Sequence, residues 1–341
     1  MKVNLTYQSK GHRELKRYLE AYYDIADPER IDEIKISIFN PSSSLIQRKE
    51  SYLKHKKTLE LLKPLFKKIK KAHIQIAEDL GFDSYLGLKL AGSCAAHKKL
   101  GPFFSNVDTV VRQINKHLPI PKNTPDWYWS ELNIPDSLYY FKDDFKLHIP
   151  KDVYKLLEGY FPKFRILKKK IFIEEVADMN PRAKYNSEGK TVTVEVPHNT
   201  SLYNALTLIH ELGHAISLLG LADLGIDPYS KNECWHEKEA YKFKFGFEEK
   251  AFPKELKYAS RGEVLNDLLS TFFEYDIYSN PDQNFDTAYA RAINRCYPGK
   301  SNQSSNPFYV LENAFILRPF GTLVPSIVQT ELLSSKNVQK E

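Results

Sequence analysis

The sequence is poor in cysteine. Its 341 residues include three cysteines, which are odd in number, widely spaced and without a metal-binding pair: Cys94, Cys234 and Cys296. This usage argues against a disulfide framework and is typical of a reducing compartment. The first residues also lack the apolar stretch of a secretory signal. We therefore expect a cytoplasmic protein.

Long hydrophobic runs and a strong charge of one sign are lacking too. We find no apolar run that approaches the length needed to span a bilayer, so we expect no membrane partner. The net charge of +6 comes from scattered lysines and does not indicate nucleic-acid binding. Hydrophobic residues make up 42% and charged residues 27% of the chain, as in an ordinary globular protein. Nothing in the composition indicates an oligomeric state.

Proline is concentrated in one stretch, which suggests a domain organisation. Residues 119–150 contain a dense group of prolines that excludes regular helix or interior strand, namely Pro119, Pro121, Pro125 and Pro135. We interpret this stretch as a connection between an N-terminal helical region, residues 1–118, and a catalytic domain, residues 151–341. The connection also contains Trp127 and Trp129, which could give it a small core of its own.

Apolar periodicity predicts a mainly α protein with a small antiparallel sheet. Residues 45–80 have the pattern of a long amphipathic helix, which we expect to kink or break at Pro64. Residues 171–176 and 191–197 resemble strands, and the second alternates cleanly, with its valines on one face. That second strand is either purely structural or an edge that holds an extended peptide by strand addition. Further helices are predicted over 11–39, 85–90, 107–117, 202–221, 232–250 and 262–278.

The most informative stretch is residues 207–215, which read Thr-Leu-Ile-His-Glu-Leu-Gly-His-Ala within the apolar run 202–221. Histidines at i and i+4 lie on one helix face, so His210 and His214 could both reach one zinc ion at about 2.0–2.1 Å. Glu211 lies roughly 100° round the helix, where it suits the general base of a zinc hydrolase. The alternative is a pair of core histidines bonded to backbone, but unpaired burial of these groups is expensive.

A catalytic zinc site needs a third protein ligand. On the next helix the apolar residues that share one stripe at 100° per residue are Trp235, Ala240, Phe243, Gly246 and Phe247. Glu239 falls inside that stripe, where an unpaired carboxylate is costly, so we choose it as the third ligand. Glu233 is the rival, and His236 is interpreted as a core histidine or as a residue that supports the ligands. Glu263 and Asp267 are candidates for orienting the ligand histidines.

This pattern resembles the thimet oligopeptidase/oligopeptidase F family of zinc peptidases. The match is strongest from Asn199 through the segment 207–215, and weaker echoes lie at 80–85, 272–275 and 306–310. The resemblance implies a zincin-like catalytic core with one zinc ion on His210, His214 and a glutamate that coincides with Glu239. It also implies short peptides as substrates and a substrate-facing tyrosine at Tyr309. A core tyrosine is the other interpretation of that residue.

Two alternatives to this function stay open. Residues 237–243 are similar to the Glu-Ala-x-x-Phe segment of ImmA/IrrE-type metallopeptidases, a resemblance that implies a regulatory protease acting on a specific protein. The protein could instead hold zinc for structure, without catalysis. A structural site is closed by a fourth protein ligand, which His236 or Cys234 could supply. Glu211 argues against a closed site, because such a site has no use for a base.

Overall fold

The computed structural model describes residues 9–39, 43–116, 151–162, 164–176, 181–197, 202–252, 254–280, 282–299, 307–311, 313–317 and 319–338. Its helices are α1 (Lys10–Ile25), α2 (Pro28–Phe39), α3 (Leu45–Asp79), α4 (Tyr85–Gly92), α5 (Cys94–Asn115), α6 (Lys151–Tyr160), α7 (Phe164–Leu167), α8 (Leu202–Asp223), α9 (Glu233–Ala251), α10 (Lys254–Ser279), α11 (Phe285–Cys296), α12 (Asn313–Leu317) and α13 (Leu323–Val338). Its strands are β1 (Ile171–Val176), β2 (Arg182–Asn186) and β3 (Thr191–Pro197). The predicted mainly α fold with a small sheet is confirmed.

The described residues form two compact units, each assembled from separate parts of the sequence. One unit contains the described parts of 9–97 and 265–323, and the other contains those of 98–116, 151–264 and 324–338. We call them the aromatic unit and the sheet unit, after their cores. The proline-rich stretch 119–150 lies outside the described residues, so our division at 118 and 151 stays a prediction.

The aromatic unit is built on the long helix α3, against which α1 and α2 pack. Gly11 of α1 lets the two backbones approach closely, because a Cβ at this position would lie 2.6 Å from the backbone nitrogen of Ile76. Pro64 lies inside α3 without ending it. Of the two expectations, a break is therefore wrong and a kink stays a prediction, and Leu62 and Phe66 on either side of the proline are buried in the core.

The sheet unit contains a mixed sheet with the strand order β1-β3-β2. β3 pairs in parallel with β1 and antiparallel with β2, so one of its two pairings differs from the antiparallel sheet we expected. Because both sides of β3 are occupied by neighbouring strands, it offers no edge for an added peptide. β2, which sequence periodicity did not reveal, is an outer strand, and the Tyr185 amide donates to the hydroxyl of Tyr229.

Helix α8 lies on this sheet and forms the centre of the core. The three valines of β3 are fully buried on the face that meets α8, as their alternation predicted: Val192, Val194 and Val196. Residues of α8 complete the core, among them Leu208, Ile209 and Leu212 at 0% exposure. The stretch Ala205–Asp223 has the length and hydropathy of a membrane span, contrary to our expectation, but 67% of it is buried inside the protein.

Candidate metal centre

Two imidazoles meet on one face of α8. His210 and His214 are one helical turn apart, and their Nε2 atoms lie 3.1 Å from each other. The two rings are nearly perpendicular, with centroids 4.7 Å apart. Because the rest of α8 is fixed in the core, both rings start from a rigid backbone. The structure therefore brings together the histidine pair that the sequence predicted.

A glutamate from α9 completes the arrangement. The carboxylate of Glu237 lies 3.4 Å from His210 Nε2 through one oxygen and 3.4 Å from His214 Nε2 through the other. The three side chains are largely buried, with exposed fractions of 15%, 15% and 19%. We call His210, His214 and Glu237 the candidate metal centre.

The spacing of these atoms fits a tetrahedral metal ion. A tetrahedral zinc ion with ligands at about 2.0–2.1 Å places neighbouring ligand atoms roughly 3.3 Å apart. The two nitrogens here are 3.1 Å apart, and each lies 3.4 Å from a different oxygen of Glu237. Imidazole nitrogens and carboxylate oxygens are also the donor types that zinc prefers in hydrolytic sites. The donor types and their spacing therefore fit a zinc ion.

The close approach of α8 and α9 explains how Glu237 reaches the histidines. Gly213 precedes His214, and a Cβ at this position would lie 2.7 Å from the Cα and 2.9 Å from the oxygen of Ala240. Only glycine allows such a contact with a backbone. Glu237 lies one turn before Ala240 on the same face of α9, so this contact sets it beside the imidazoles.

Glu211 lies beside the candidate metal centre and is not one of its three residues. Among the described residues, the ligand atoms of His210, Glu211 and His214 lie within 4.8 Å of one another. Glu211 is 7% exposed. The side chain therefore stands close enough to exchange a proton with a group bound between the imidazoles, as a general base requires.

Burial and neighbouring charges set the protonation of the centre. Burial raises the pKa of Glu211, and the negative charge of Glu237 acts in the same direction. Burial would also raise the pKa of Glu237, but hydrogen bonds from the two imidazoles bring it well below its usual range. Burial would lower the pKa of His214, yet its bond to Glu237 raises it. Glu237 is thus held ionised, which is the form that binds metal.

The predicted third ligand, Glu239, is not at the centre. Two residues beyond Glu237 it points about 200° away round the helix. Its carboxylate accepts a hydrogen bond from Lys242 at 2.6 Å, and the two side chains are 32% and 48% exposed. The rival, Glu233, is an exposed residue of the first turn of α9. The structure therefore places Glu237, rather than Glu239, beside the two imidazoles, and the ligand role of Glu239 stays a prediction.

The pattern of burial on α9 explains why our choice fell on Glu239. The prediction counted apolar residues as buried and assumed that charged residues lie at the surface. In the structure a second stripe at helical spacing is as deeply buried as the apolar one, and it is polar: Glu237, Tyr241, Lys244 and Glu248. We call these four residues the polar stripe. One feature of the sequence could have revealed Glu237. Gly213 indicates that α8 approaches a neighbouring helix closely, and Glu237 shares a face of α9 with Ala240, the residue that Gly213 contacts.

Other predicted residues have different surroundings. Tyr309 belongs to the aromatic unit, where its side chain is 1% exposed and packs against Phe66 and Phe273. Its hydroxyl donates to Asp286 at 3.0 Å, and burial raises its pKa. These contacts pack Tyr309 into the core of the aromatic unit, and its catalytic role stays a prediction. Glu263 pairs with Lys244 rather than with a ligand histidine.

The two residues that could close the site both lie on α9. Cys234 is buried at the start of this helix. The buried Nε2 of His236 has no hydrogen-bond partner among the described residues, and its ring lies close enough to the centre to feel the charges of His214 and Glu237.

Comparison with solved structures shows which proteins share the fold of this chain. No protein-family model matches the chain, and no curated protein matches its sequence. A protein assigned as an oligoendopeptidase F has a TM-score of 0.54 at 13% identity, covering 98% of this chain and 68% of that one. A protein from Chlamydophila abortus, assigned as a peptidase, has a TM-score of 0.53 at 13% identity, covering 93% and 61%. The chain thus spans less than the full length of these proteins and shares their fold.

Proposed function

We propose that this protein is a zinc-dependent metallopeptidase that hydrolyses short peptides. The observation that carries the proposal is the triangle of two imidazole nitrogens and one carboxylate at 3.1, 3.4 and 3.4 Å, beside a buried glutamate. The fold shared with proteins assigned as an oligoendopeptidase F and as a peptidase supports a peptide substrate.

The ligands are His210, His214 and Glu237, which replaces Glu239 in our assignment. Zinc held in such a set supplies a Lewis acid that polarises a carbonyl group and lowers the pKa of water towards 7. The two imidazoles contribute no charge and Glu237 contributes one negative charge, so the site keeps a net positive charge with the ion bound. That charge favours the oxyanion that develops when a peptide carbonyl is attacked.

Glu211 performs the proton transfer. It takes a proton from the attacking water and passes it to the nitrogen of the leaving amine, which restores its carboxylate. A carboxylate with an ordinary pKa is a weak base at neutral pH, and burial of Glu211 raises its pKa towards the working range. A purely structural zinc site would be closed by a fourth protein ligand, whereas we assign Glu211, the remaining carboxylate beside the imidazoles, to proton transfer.

The proposal is tested with wild-type protein and a Glu211→Gln variant. Each is loaded with zinc and incubated with a mixed peptide library, and mass spectrometry reports the cleaved bonds. We expect wild type to cut short peptides, and the variant to bind the same amount of zinc while losing about 10²- to 10⁴-fold in rate. Glu249→Gln is the matched control, because this exposed glutamate of α9 lies outside the centre.

Two results would contradict the proposal. Wild-type protein that binds no zinc would remove the metal centre itself. Full activity in Glu211→Gln would remove the general-base role, and metal analysis of the same sample would show whether zinc was still present.

A further inference from the structure

His210 has an unusual environment for a metal ligand. A ligating histidine commonly donates its second ring N–H to a carboxylate, a carbonyl or water, and this bond fixes the orientation of the ring. The Nδ1 atom of His210 is buried, and no hydrogen-bond partner for it is found in the structure as described. Something other than a hydrogen bond at Nδ1 must therefore hold this side of the ring in place.

An aromatic ring is packed against His210. The centroid of the Tyr241 ring lies 4.5 Å from that of His210, with the planes tilted by 53°. Tyr241 is 9% exposed and follows Glu237 by one helical turn in the polar stripe. The His210 ring also contacts the His214 ring, with centroids 4.7 Å apart, so of these two neighbouring rings Tyr241 is the one from the second helix. Rotation of His210 would therefore require Tyr241 to move.

Tyr241 is itself held by neighbours on its own helix. The Lys244 ammonium lies 5.8 Å from the centroid of the Tyr241 ring, within the range of a cation–π contact. Lys244 is 2% exposed and forms an ion pair with Glu263 of α10. The ring of Phe245 contacts Tyr241 from the following turn, with centroids 5.7 Å apart. A ring fixed in this way has the rigidity that a positioning surface needs.

We infer that Tyr241 is a positioning residue for the metal centre, whose aromatic ring orients the His210 imidazole in place of a hydrogen bond. This inference rests on the proposed function, because it concerns a ligand of the proposed zinc ion. Tyr241 acts through His210 and does not itself bind zinc. Its contribution is to keep His210 Nε2 aimed at the point that His214 and Glu237 also face, which lowers the entropy lost on metal binding.

The test measures zinc affinity by competition with a chromophoric chelator in three variants. Tyr241→Leu removes the flat ring, and we expect zinc binding to weaken by about 10- to 100-fold, the usual cost of losing a residue that orients a ligand. Tyr241→Phe keeps the ring and is expected to stay near wild type. Tyr241→Met fills similar space with a flexible chain, so it keeps the fold if Leu does not, and it should weaken binding as Leu does.

The matched control is Phe247→Leu. Phe247 is fully buried on the same helix, and its ring contacts lie with Phe161 and Phe252 rather than with His210. We expect this variant to lose stability but to bind zinc as wild type does. Substitution of cobalt for zinc adds a second measurement, because the visible absorption of cobalt reports ligand geometry. The spectrum should change in Tyr241→Leu and stay unchanged in Phe247→Leu.

Each result decides between the inference and its rivals. Wild-type affinity in Tyr241→Leu and Tyr241→Met would overturn it. Equal weakening in Phe247→Leu would show a general loosening of α9, and weakening in Tyr241→Phe would assign the effect to the hydroxyl, so either would also overturn it. Wild-type protein without zinc affinity would instead refute the proposed function, which keeps the two failures distinct.

Discussion

Helices α8 and α9 face each other across the candidate metal centre, yet they bury their functional residues in opposite ways. α8 has two charged residues among 22, and its histidines and Glu211 interrupt an otherwise apolar helix. α9 has nine charged residues among 19, and Glu237 is one of them. Both helices bury charged side chains, Glu211 on α8 and Lys244 and Glu248 on α9, so burial alone does not distinguish them. The helices differ in how clearly the sequence of each one indicates its functional residues.

The two helices differ in what offsets the cost of burying their polar groups. On α8 the polar atoms gather at one point, and a shared ion would compensate them together. On α9 the polar stripe is compensated along its whole length, by imidazoles at Glu237, by Glu263 at Lys244 and by Arg261 at Glu248. A buried charged side chain therefore marks the candidate metal centre on α8, where Glu211 is alone, but not on α9, where Lys244 and Glu248 are buried as well.

The largest effect is expected from the two glutamates that compete for the role of third ligand. Glu237→Ala should weaken zinc binding well beyond the roughly 10- to 100-fold that the loss of an orienting residue costs. Glu239→Ala should leave zinc binding unchanged, because its side chain is bonded to Lys242 on another face of α9. Metal content after dialysis and chelator competition measure both.

The opposite ranking of these two variants would break the comparison. If Glu239→Ala lost zinc and Glu237→Ala kept it, the third ligand would be Glu239 of the apolar stripe. The polar stripe would then contribute no ligand to the site. Circular dichroism of both variants provides the control, since each must keep the helical content of wild type for the zinc measurement to be interpreted.

The second effect concerns the far end of the polar stripe. Glu248 is 0% exposed, lies 3.0 Å from the Arg261 guanidinium and accepts a hydrogen bond from Ser260. Removing one partner of a buried ion pair leaves the other charge uncompensated, so Glu248→Ala should lower the free energy of unfolding by about 3–5 kcal/mol. Denaturant unfolding of the zinc-free protein measures the change.

Its neighbour supplies the control for this experiment. Glu249 is 51% exposed and pairs with Lys257 at 3.0 Å and with the outer side of Arg261 at 3.6 Å, so Glu249→Ala should cost about 1 kcal/mol or less. If the two variants were equally stable, Glu248 would behave as a surface residue, and the distinction between the polar stripe and the exposed faces of α9 would fail at this end.

The sequence predicted those parts of the site that an apolar background makes visible. His210, Glu211 and His214 were identifiable because α8 gives no other reason for polar side chains, and β3 was identifiable from its alternating valines. Glu237 was missed because Lys244 and Glu248 occupy the same face, and hydropathy assigns that face to solvent. Their burial depends on Glu263 and Arg261, which belong to the next helix and are not visible from the periodicity of α9. β2 was missed for a related reason, since its exposed residues, Arg182 and Lys184, bond to Glu195 of β3.

A third, smaller effect tests the contact that joins the two helices. Gly213→Ala would place a Cβ 2.7 Å from the Ala240 backbone, which cannot shift cheaply, so we expect a loss of about 1–3 kcal/mol of stability. Zinc affinity should fall as well, because the added Cβ would push α9 away from α8 and move Glu237 away from the imidazoles. Gly220→Ala is the matched control on the same helix, where a Cβ meets open space and should stabilise α8 by up to about 1 kcal/mol. Stabilisation by both substitutions would show that the helices do not depend on this contact.

The smallest effect is expected at the exposed pair of Glu239 and Lys242, which lie one turn apart on α9 and are bonded at 2.6 Å. Ion pairs of this kind on a helix surface contribute about 0.2–0.5 kcal/mol, so a double-mutant cycle with Glu239→Ala and Lys242→Ala should give a coupling energy in that range. Zinc affinity should be the same in all members of the cycle. Coupling several times larger, or a change in zinc affinity with Lys242→Ala, would mean that this face of α9 reaches the metal centre after all. In that case the polar stripe and the exposed face would share one role, and the sequence would have been correct to see a ligand at Glu239.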